Sequence, residues 1–286
     1  FFHAEDGIRD RSPSRGLGDV YKRQVFIFAI ILIQYNQQPY LVEAYLLGFV
    51  LLSVFSGIKV IKMLAVFKKA NKESEKFSIR EIFKTSAPMA LSAIAYFIMQ
   101  SIDIIILSVY EGFDQIAYYS VSVKLAMVTT LALMSVNIVI APRIAEIFEK
   151  KNMNDMQLLI KHSTRIIFFI SICVLSVLFL FSEQILNMFG EGYFQANKAL
   201  IFLLAAQFFN SISGPGAIYL NMTGRQATLN KILILGLIIN IALNFYFIPN
   251  EGINGAAKAT LTSLIIWNSI TTVYVYSRDK IKIFLT

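Results

Sequence analysis

The chain lacks most of the residues from which soluble enzymes build their chemistry. Of its 286 residues only one is cysteine, Cys173, and two are histidine, His3 and His162. One cysteine excludes an internal disulfide, and so few Cys and His leave no metal-ligand spacing. No Gly-rich phosphate loop, HExxH pair or nucleophile elbow occurs, so catalytic residues, a metal and a cofactor are all expected to be absent. Charge is scarce as well. Asp, Glu, Lys and Arg make up 15% of the chain, where a soluble domain carries about a quarter. The net charge of +8 raises the possibility of a nucleic-acid patch. The basic residues, however, cluster in short loops beside apolar runs, which is the positive-inside pattern of a membrane protein. No nucleic-acid partner is expected.

Apolar residues are what the chain has, at 56%. They fall into about eight stretches from Val25 onward: Val25–Gln34, Ala44–Phe67, Ala87–Tyr110, Ile116–Ala141, Ser163–Phe181, Ala196–Leu220, Ala227–Ile248 and Gly255–Tyr276. All but the first approach the roughly 20 residues that a helix needs to cross a bilayer. Lipid offers no hydrogen bonds to the backbone, so each span must be a helix. The fold class expected is all-α, a polytopic membrane helix bundle.

The loops alternate. Lys68, Lys69, Lys72, Lys76, Arg80 and Lys84 fill one; Arg143, Lys150, Lys151, Lys161 and Arg165 mark another; Arg225, Lys231, Arg278, Lys280 and Lys282 lie on the same side. The intervening loops, Tyr35–Glu43, Glu111–Gln115, Ser182–Gln195 and Pro249–Asn254, hold no Lys or Arg. This places the basic loops and the C-terminus in the cytoplasm. Tyr110, Tyr118, Tyr119 and Tyr193 would then form an outer aromatic belt. Lys59, Lys62, Lys198 and Lys258 lie near helix ends, where they can snorkel. The Asn221-Met222-Thr223 sequon falls at a cytoplasmic helix end and reads as chance. The inner segment Ile144–Ile160 is expected to prolong its span and then lie on the membrane surface.

Phe1–Gln24 does not fit this pattern. It has mixed charge, no starting Met and no periodicity, and it stops abruptly at Val25. Its GIRD and SRGLGDVYKRQ strings resemble the translated read-through of a sequencing-library adapter. The expectation is a non-native segment joined to a fragment whose natural N-terminus is missing.

From Phe83 to Arg278 the chain resembles polysaccharide or lipid-linked oligosaccharide flippases, relatives of the multidrug and toxin extrusion transporters. The strings that carry the resemblance are Ala87-Pro88-Met89, Ile106-Leu107-Ser108, Ala117-Tyr118-Tyr119-Ser120, Ala141-Pro142-Arg143 and Phe189-Gly190. The most specific is Ile248-Pro249 followed by Gly252-Ile253-Asn254-Gly255-Ala256-Ala257. Lys258 directly after it departs from the family's apolar residue. The resemblance implies two six-helix lobes about a central cavity that opens alternately to each side. Residues 87–277 would then be a complete six-helix second lobe, 25–67 the last two helices of the first (one truncated), 68–86 a cytoplasmic linker and 278–286 a cytoplasmic tail. It also implies a bacterial cytoplasmic membrane, a lipid-linked sugar as substrate, and H+ or Na+ as a coupling ion. A cation-coupled drug exporter is the nearer alternative. A polytopic transferase is the alternative of another class, but the juxtamembrane cluster of acids or histidines it needs is not visible.

Charges inside spans point to function because each is costly in lipid. Asp103 and Lys124 lie on consecutive spans, both about ten positions from the hairpin midpoint between Phe113 and Asp114, and so at matched depth. They are expected to pair or to share a water-filled pocket; a purely structural pair is the alternative. Gln100 shares the Asp103 face. Gln207, Asn210, Ser211 and Gly214 form one polar stripe at helical spacing, for cavity lining or for interhelical hydrogen bonds. Asn240 and Asn244 read as structural. Gly214-Pro215-Gly216 is expected to kink its helix, since Pro removes a donor and clashes one turn back; a moving hinge is the stronger form of that expectation.

Overall fold

The computed structural model describes residues 46, 50, 53–55, 57–58 and 79–285; the side chains of 79–86, 88 and 89 are not described. Expectations for Phe1–Gln24, Val25–Gln34, Lys59, Lys62 and most of the linker lie outside these residues. The chain divides into two compact units, Phe1–Phe77 and Ser78–Thr286. In the first, the described residues are helical and exposed.

The second unit is built from helices: α1 (Ile79–Met99), α2 (Ile102–Tyr110), α3 (Phe113–Met127), α4 (Thr130–Glu149), α5 (Met153–Leu180), the short α6 (Ser182–Asn187), a 3-10 turn (Tyr193–Ala196), α7 (Asn197–Ser213), α8 (Gly216–Met222) and α9 (Gln226–Asp279). Helix already runs from Ile79, eight residues before the expected span start at Ala87. Ala90–Tyr110, Thr130–Glu149, Met153–Leu180 and α9 are long and apolar enough to cross a membrane, as is Tyr193–Met222 with its 45° bend.

Three expected spans are discontinuous. α1 gives way to α2 through a turn at Gln100-Ser101, with Ser101 N–H bonded to Ile98 C=O at 3.0 Å. α3 gives way to α4 at Val128-Thr129, where Val128 and Thr129 N–H groups reach back only three residues. Neither break contains Pro or Gly. The third break, Gly214-Pro215 between α7 and α8, is the one that sequence rules anticipate. α9 is two antiparallel arms folded at Gly252, whose φ is 55°. A Cβ on Gly255 would lie 2.5 Å from Phe247 C=O, so the tight hairpin explains the Gly252–Ala257 string. Buried Ala256, Ala257 and Ala259 let neighbouring helices approach closely, as helix packing in lipid requires.

Ile144–Ile160 does not lie on the surface. α4 continues to Glu149, Asn152 accepts from Asp155 N–H as the N-cap of α5, and α5 turns straight back. Ile144, Met156 and Ile160 are fully buried, so the apolar residues of this segment seal a helical hairpin. Tyr119 is likewise buried rather than in a belt, whereas Tyr118 and Tyr193 pack edge to face at 4.8 Å. Lys258 does not snorkel freely; it pairs with Glu251 and lies over Phe202.

Two apolar clusters form the core. One, around Leu107, Tyr119, Leu186, Leu200, Ile248 and Ala256, lies toward the Lys/Arg-poor end. The other, around Ile144, Ile160, Tyr219, Leu229, Val275 and Ile283, lies toward the basic end. Between them along α7 and both arms of α9 come the buried polar residues Gln207, Asn210, Asn240 and Ser263.

Candidate functional site

Asp103 sits in the first turn of α2, directly after the break in its span. The break leaves the first N–H groups of α2 without helical partners. Asp103 Oδ1 takes one of them, Ile104 N–H, at 2.9 Å, and the helix N-terminus favours the negative charge. Its Oδ2 accepts from Tyr119 Oη at 2.5 Å and from Thr260 Oγ1 at 3.4 Å. The carboxylate is only 3% exposed, and each of these donors is neutral.

Asp103 therefore does not pair with Lys124. Lys124 points out of the unit and is exposed, while Tyr119, on the same helix, occupies the carboxylate. The two side chains lie on different faces of α3. Residues 119 and 124 are five apart, which turns a helix by about 140°.

Thr260 links Asp103 to an internal cavity. Its walls come from Tyr96, Met99 and Gln100 of α1 and its end, Gln207 and Asn210 of α7, and Asn240, Thr260, Ser263, Leu264 and Trp267 of α9. About 20 Å³ is open to water centres, room for one water. Three sequence candidates, Gln100, Gln207 and Asn210, thus converge on one cavity. Their amides are held in place. Gln100 donates to Tyr96 Oη at 3.1 Å, Asn210 to Gln207 Oε1 at 3.3 Å, and Asn268 to Asn210 Oδ1 at 3.4 Å. Asn240, expected to be structural, donates to Ser263 Oγ at 3.0 Å and lines the cavity too. Asn244 donates to Asn240 and stays structural. Among the described residues the indole N–H of Trp267 is buried with no partner, a rare state for a strong donor.

Sequence reasoning missed Tyr96, Tyr119, Thr260, Ser263 and Trp267. A signal was present for three of them: Thr260, Ser263 and Trp267 recur at i, i+3, i+7 on one face of the second arm. Ser211, the remaining member of the α7 stripe before the break, bonds back to Phe208 C=O at 2.8 Å. Among the described residues no group of three or more His, Cys, Asp or Glu could hold a metal ion.

Long apolar helices that pack around a buried acid and a polar cavity mark an integral multi-pass membrane protein. The chain belongs to the MatE family, a family of membrane transporters; the family's profile matches residues 88–246. It is 28% identical over 256 residues to the uncharacterized membrane protein MJ1068 of Methanocaldococcus jannaschii. That match covers 85% of this chain and 49% of the relative, so the chain spans about half the length of the relative it matches. No solved structure matches significantly.

Proposed function

We propose that residues 87–277 form one lobe of an alternating-access exporter in which Asp103 takes up the coupling cation, H+ or Na+. The observation that carries this reading is the placement of Asp103: an acid, nearly fully buried, at a broken helix, held among the described residues by neutral donors only. A structural acid in lipid would be expected to find a cation on a neighbouring helix. Here the carboxylate keeps that place for an ion that comes and goes, and Thr260 connects it to the cavity.

The substrate reading is a lipid-linked oligosaccharide or polysaccharide precursor, flipped across a cytoplasmic membrane of a bacterial cell with the basic end and the C-terminus inside. Its support is the string Ile248-Pro249 with Gly252–Ala257, and the exposed Lys124, available to an anionic headgroup as a point charge. A cation-coupled drug exporter is the competing reading, favoured by the wholly neutral lining of the cavity. The test is transport by the full-length protein in vesicles under an imposed proton or sodium gradient, with a lipid-linked oligosaccharide and a cationic dye as separate probes. Asp103→Asn should abolish gradient-driven movement of whichever probe is carried, and Asp103→Glu should retain part of it. Wild-type transport by Asp103→Asn would end the coupling assignment. Movement of the dye alone would move the substrate assignment to the drug exporters.

A further inference from the structure

The segment that follows α9 is not a loose tail. α9 ends at Asp279, whose carboxylate accepts from both terminal nitrogens of Arg225 and from Tyr219 Oη at 2.7 Å. Lys280 then adopts φ 58°, and the chain leaves the helix and runs along the basic end without regular secondary structure. Its side chains alternate as a strand's do: Ile281 and Ile283 are buried, Lys282 and Phe284 exposed. Its backbone is bonded to two helices, α5 and α7. The Gln157 side-chain amide takes both Lys282 N–H at 2.7 Å and Lys282 C=O at 3.0 Å. Thr164 Oγ1 donates to Ile283 C=O at 3.0 Å. Leu285 N–H donates to Ile212 C=O at 3.0 Å.

The last bond ties the segment to the α7–α8 break. In a continuous helix, Ile212 C=O would accept from Gly216 N–H. Here Gly216 N–H bonds Gly214 C=O at 3.0 Å instead, and Leu285 takes the carbonyl set free. Gly214 has φ +66°, and a Cβ there would lie 2.8 Å from Ile283 C=O. One carbonyl therefore has two suitors. Its oxygen has two lone pairs, so what couples them is place: Leu285 binds at the break and Ile283 C=O lies against Gly214 within it. With Leu285 docked, the span is bent by 45°. For Gly216 to reclaim Ile212 and straighten the span, the segment packed against Gly214 must move.

We propose that residues 280–285 form a strap that is docked when the α7–α8 span is bent and released when it straightens. The span carries Gln207 and Asn210 one to two turns before the break, so the strap ties the cavity to the basic end of the lobe. It rests on the transporter reading only for when the span would straighten.

Two measurements on the full-length protein, in a Cys173→Ser background, test it. The first needs no transport. A thiol at Ile283→Cys should react slowly with a maleimide in detergent. Adding Pro215→Ala returns a backbone donor and favours the straight span, so labelling should quicken about tenfold or more; an unchanged rate would overturn the link between bend and strap. The second bridges Gln157→Cys to Lys282→Cys with a short bifunctional thiosulfonate. Transport should fall below about a tenth of that of the reduced double variant and return with reductant. A bridged protein that transports at the reduced rate would overturn the strap's role. If the unbridged protein moves neither probe, the transporter reading fails by itself and the labelling arm still decides the strap.

Discussion

Asp103→Asn keeps the shape of the side chain and removes its charge, and its effect on stability follows from the three donors around it. Hydrogen bonds to a charged group contribute about 1.5–3 kcal/mol and neutral ones about 0.5–1.5. Asn offers one acceptor oxygen, which keeps Ile104 N–H, and an NH2 to which the Tyr119 and Thr260 hydroxyls turn as acceptors; the three bonds thus lose about 3 kcal/mol together. Against this stands the penalty for a charge that is 3% exposed, an effective several kcal/mol even after relaxation. The two nearly cancel, with the balance toward stabilisation. A buried pair with Lys124 would behave otherwise: neutralising one partner would cost about 3–5 kcal/mol. At about 2–4 °C per kcal/mol for a domain of this size, that would lower the melting temperature by roughly 6–20 °C. The assay is thermal unfolding in detergent without sodium at fixed pH, beside transport in vesicles. Asp103→Asn should melt within about 2 °C of the parent or above it, yet fail to transport; Lys124→Gln should melt unchanged. A loss of more than about 6 °C in Asp103→Asn would refute the argument that neutral donors alone hold the acid.

Tyr119→Phe deletes one donor from that acid while leaving the ring packed, and should lower stability by about 1–3 kcal/mol, read from the same melting curves. Gly252→Ala places a Cβ at φ 55° and 2.5 Å from Glu111 Oε1; an apparent loss of about 1–2 kcal/mol and slower hairpin closure in refolding are expected, and an unaffected protein would contradict the strained turn. Arg225→Gln and Asp279→Asn should show coupling in a double-mutant cycle of about 1–3 kcal/mol, discounted for the 19% exposure of the Arg225 side chain and its solvent screening; the carboxylate's hydrogen bonds hold that guanidinium above its usual pKa, so the pair should persist throughout the neutral range. In the Cys173→Ser background, Gly112→Cys should react with an impermeant reagent from outside intact cells and Ser277→Cys only after the membrane is opened; the reverse pattern would invert the topology.

The broad frame was legible because its causes are local. Apolar runs of bilayer length, Lys/Arg-free loops and Gly214-Pro215 each act within one stretch of chain. Gln100, Gln207 and Asn210 could be picked out because amides on apolar helices are costly wherever they face. The partner of Asp103 was not legible, because it depends on rotation about α3, which depth does not fix. The search for opposite charge favoured Lys124, but a phenol five residues earlier faces the acid. The breaks at Gln100-Ser101 and Val128-Thr129 carry no Pro or Gly; at the second, the Thr129 and Thr130 hydroxyls donate to Ala126 and Met127 C=O at 2.7 Å, a local competition with the helix ladder that two threonines do not by themselves announce. Residues 280–285 had a readable period of two in Lys280-Ile281-Lys282-Ile283. Its basic residues also fit a solvated tail, and the acceptor that selects between the two, Ile212 C=O, lies about 70 positions away.

Trp267 is the only tryptophan in the chain; it lines the polar cavity, and its indole N–H is buried without a partner among the described residues. The protein thereby carries its own optical probe where a label would be hardest to introduce. Ultraviolet emission excited at the indole comes from this one position, and its wavelength responds to whether the cavity is dry, hydrated or filled. A titration with sodium or protons followed at that wavelength would watch the interior of the lobe directly, with Asp103→Asn as the silent control and no need to know the cargo.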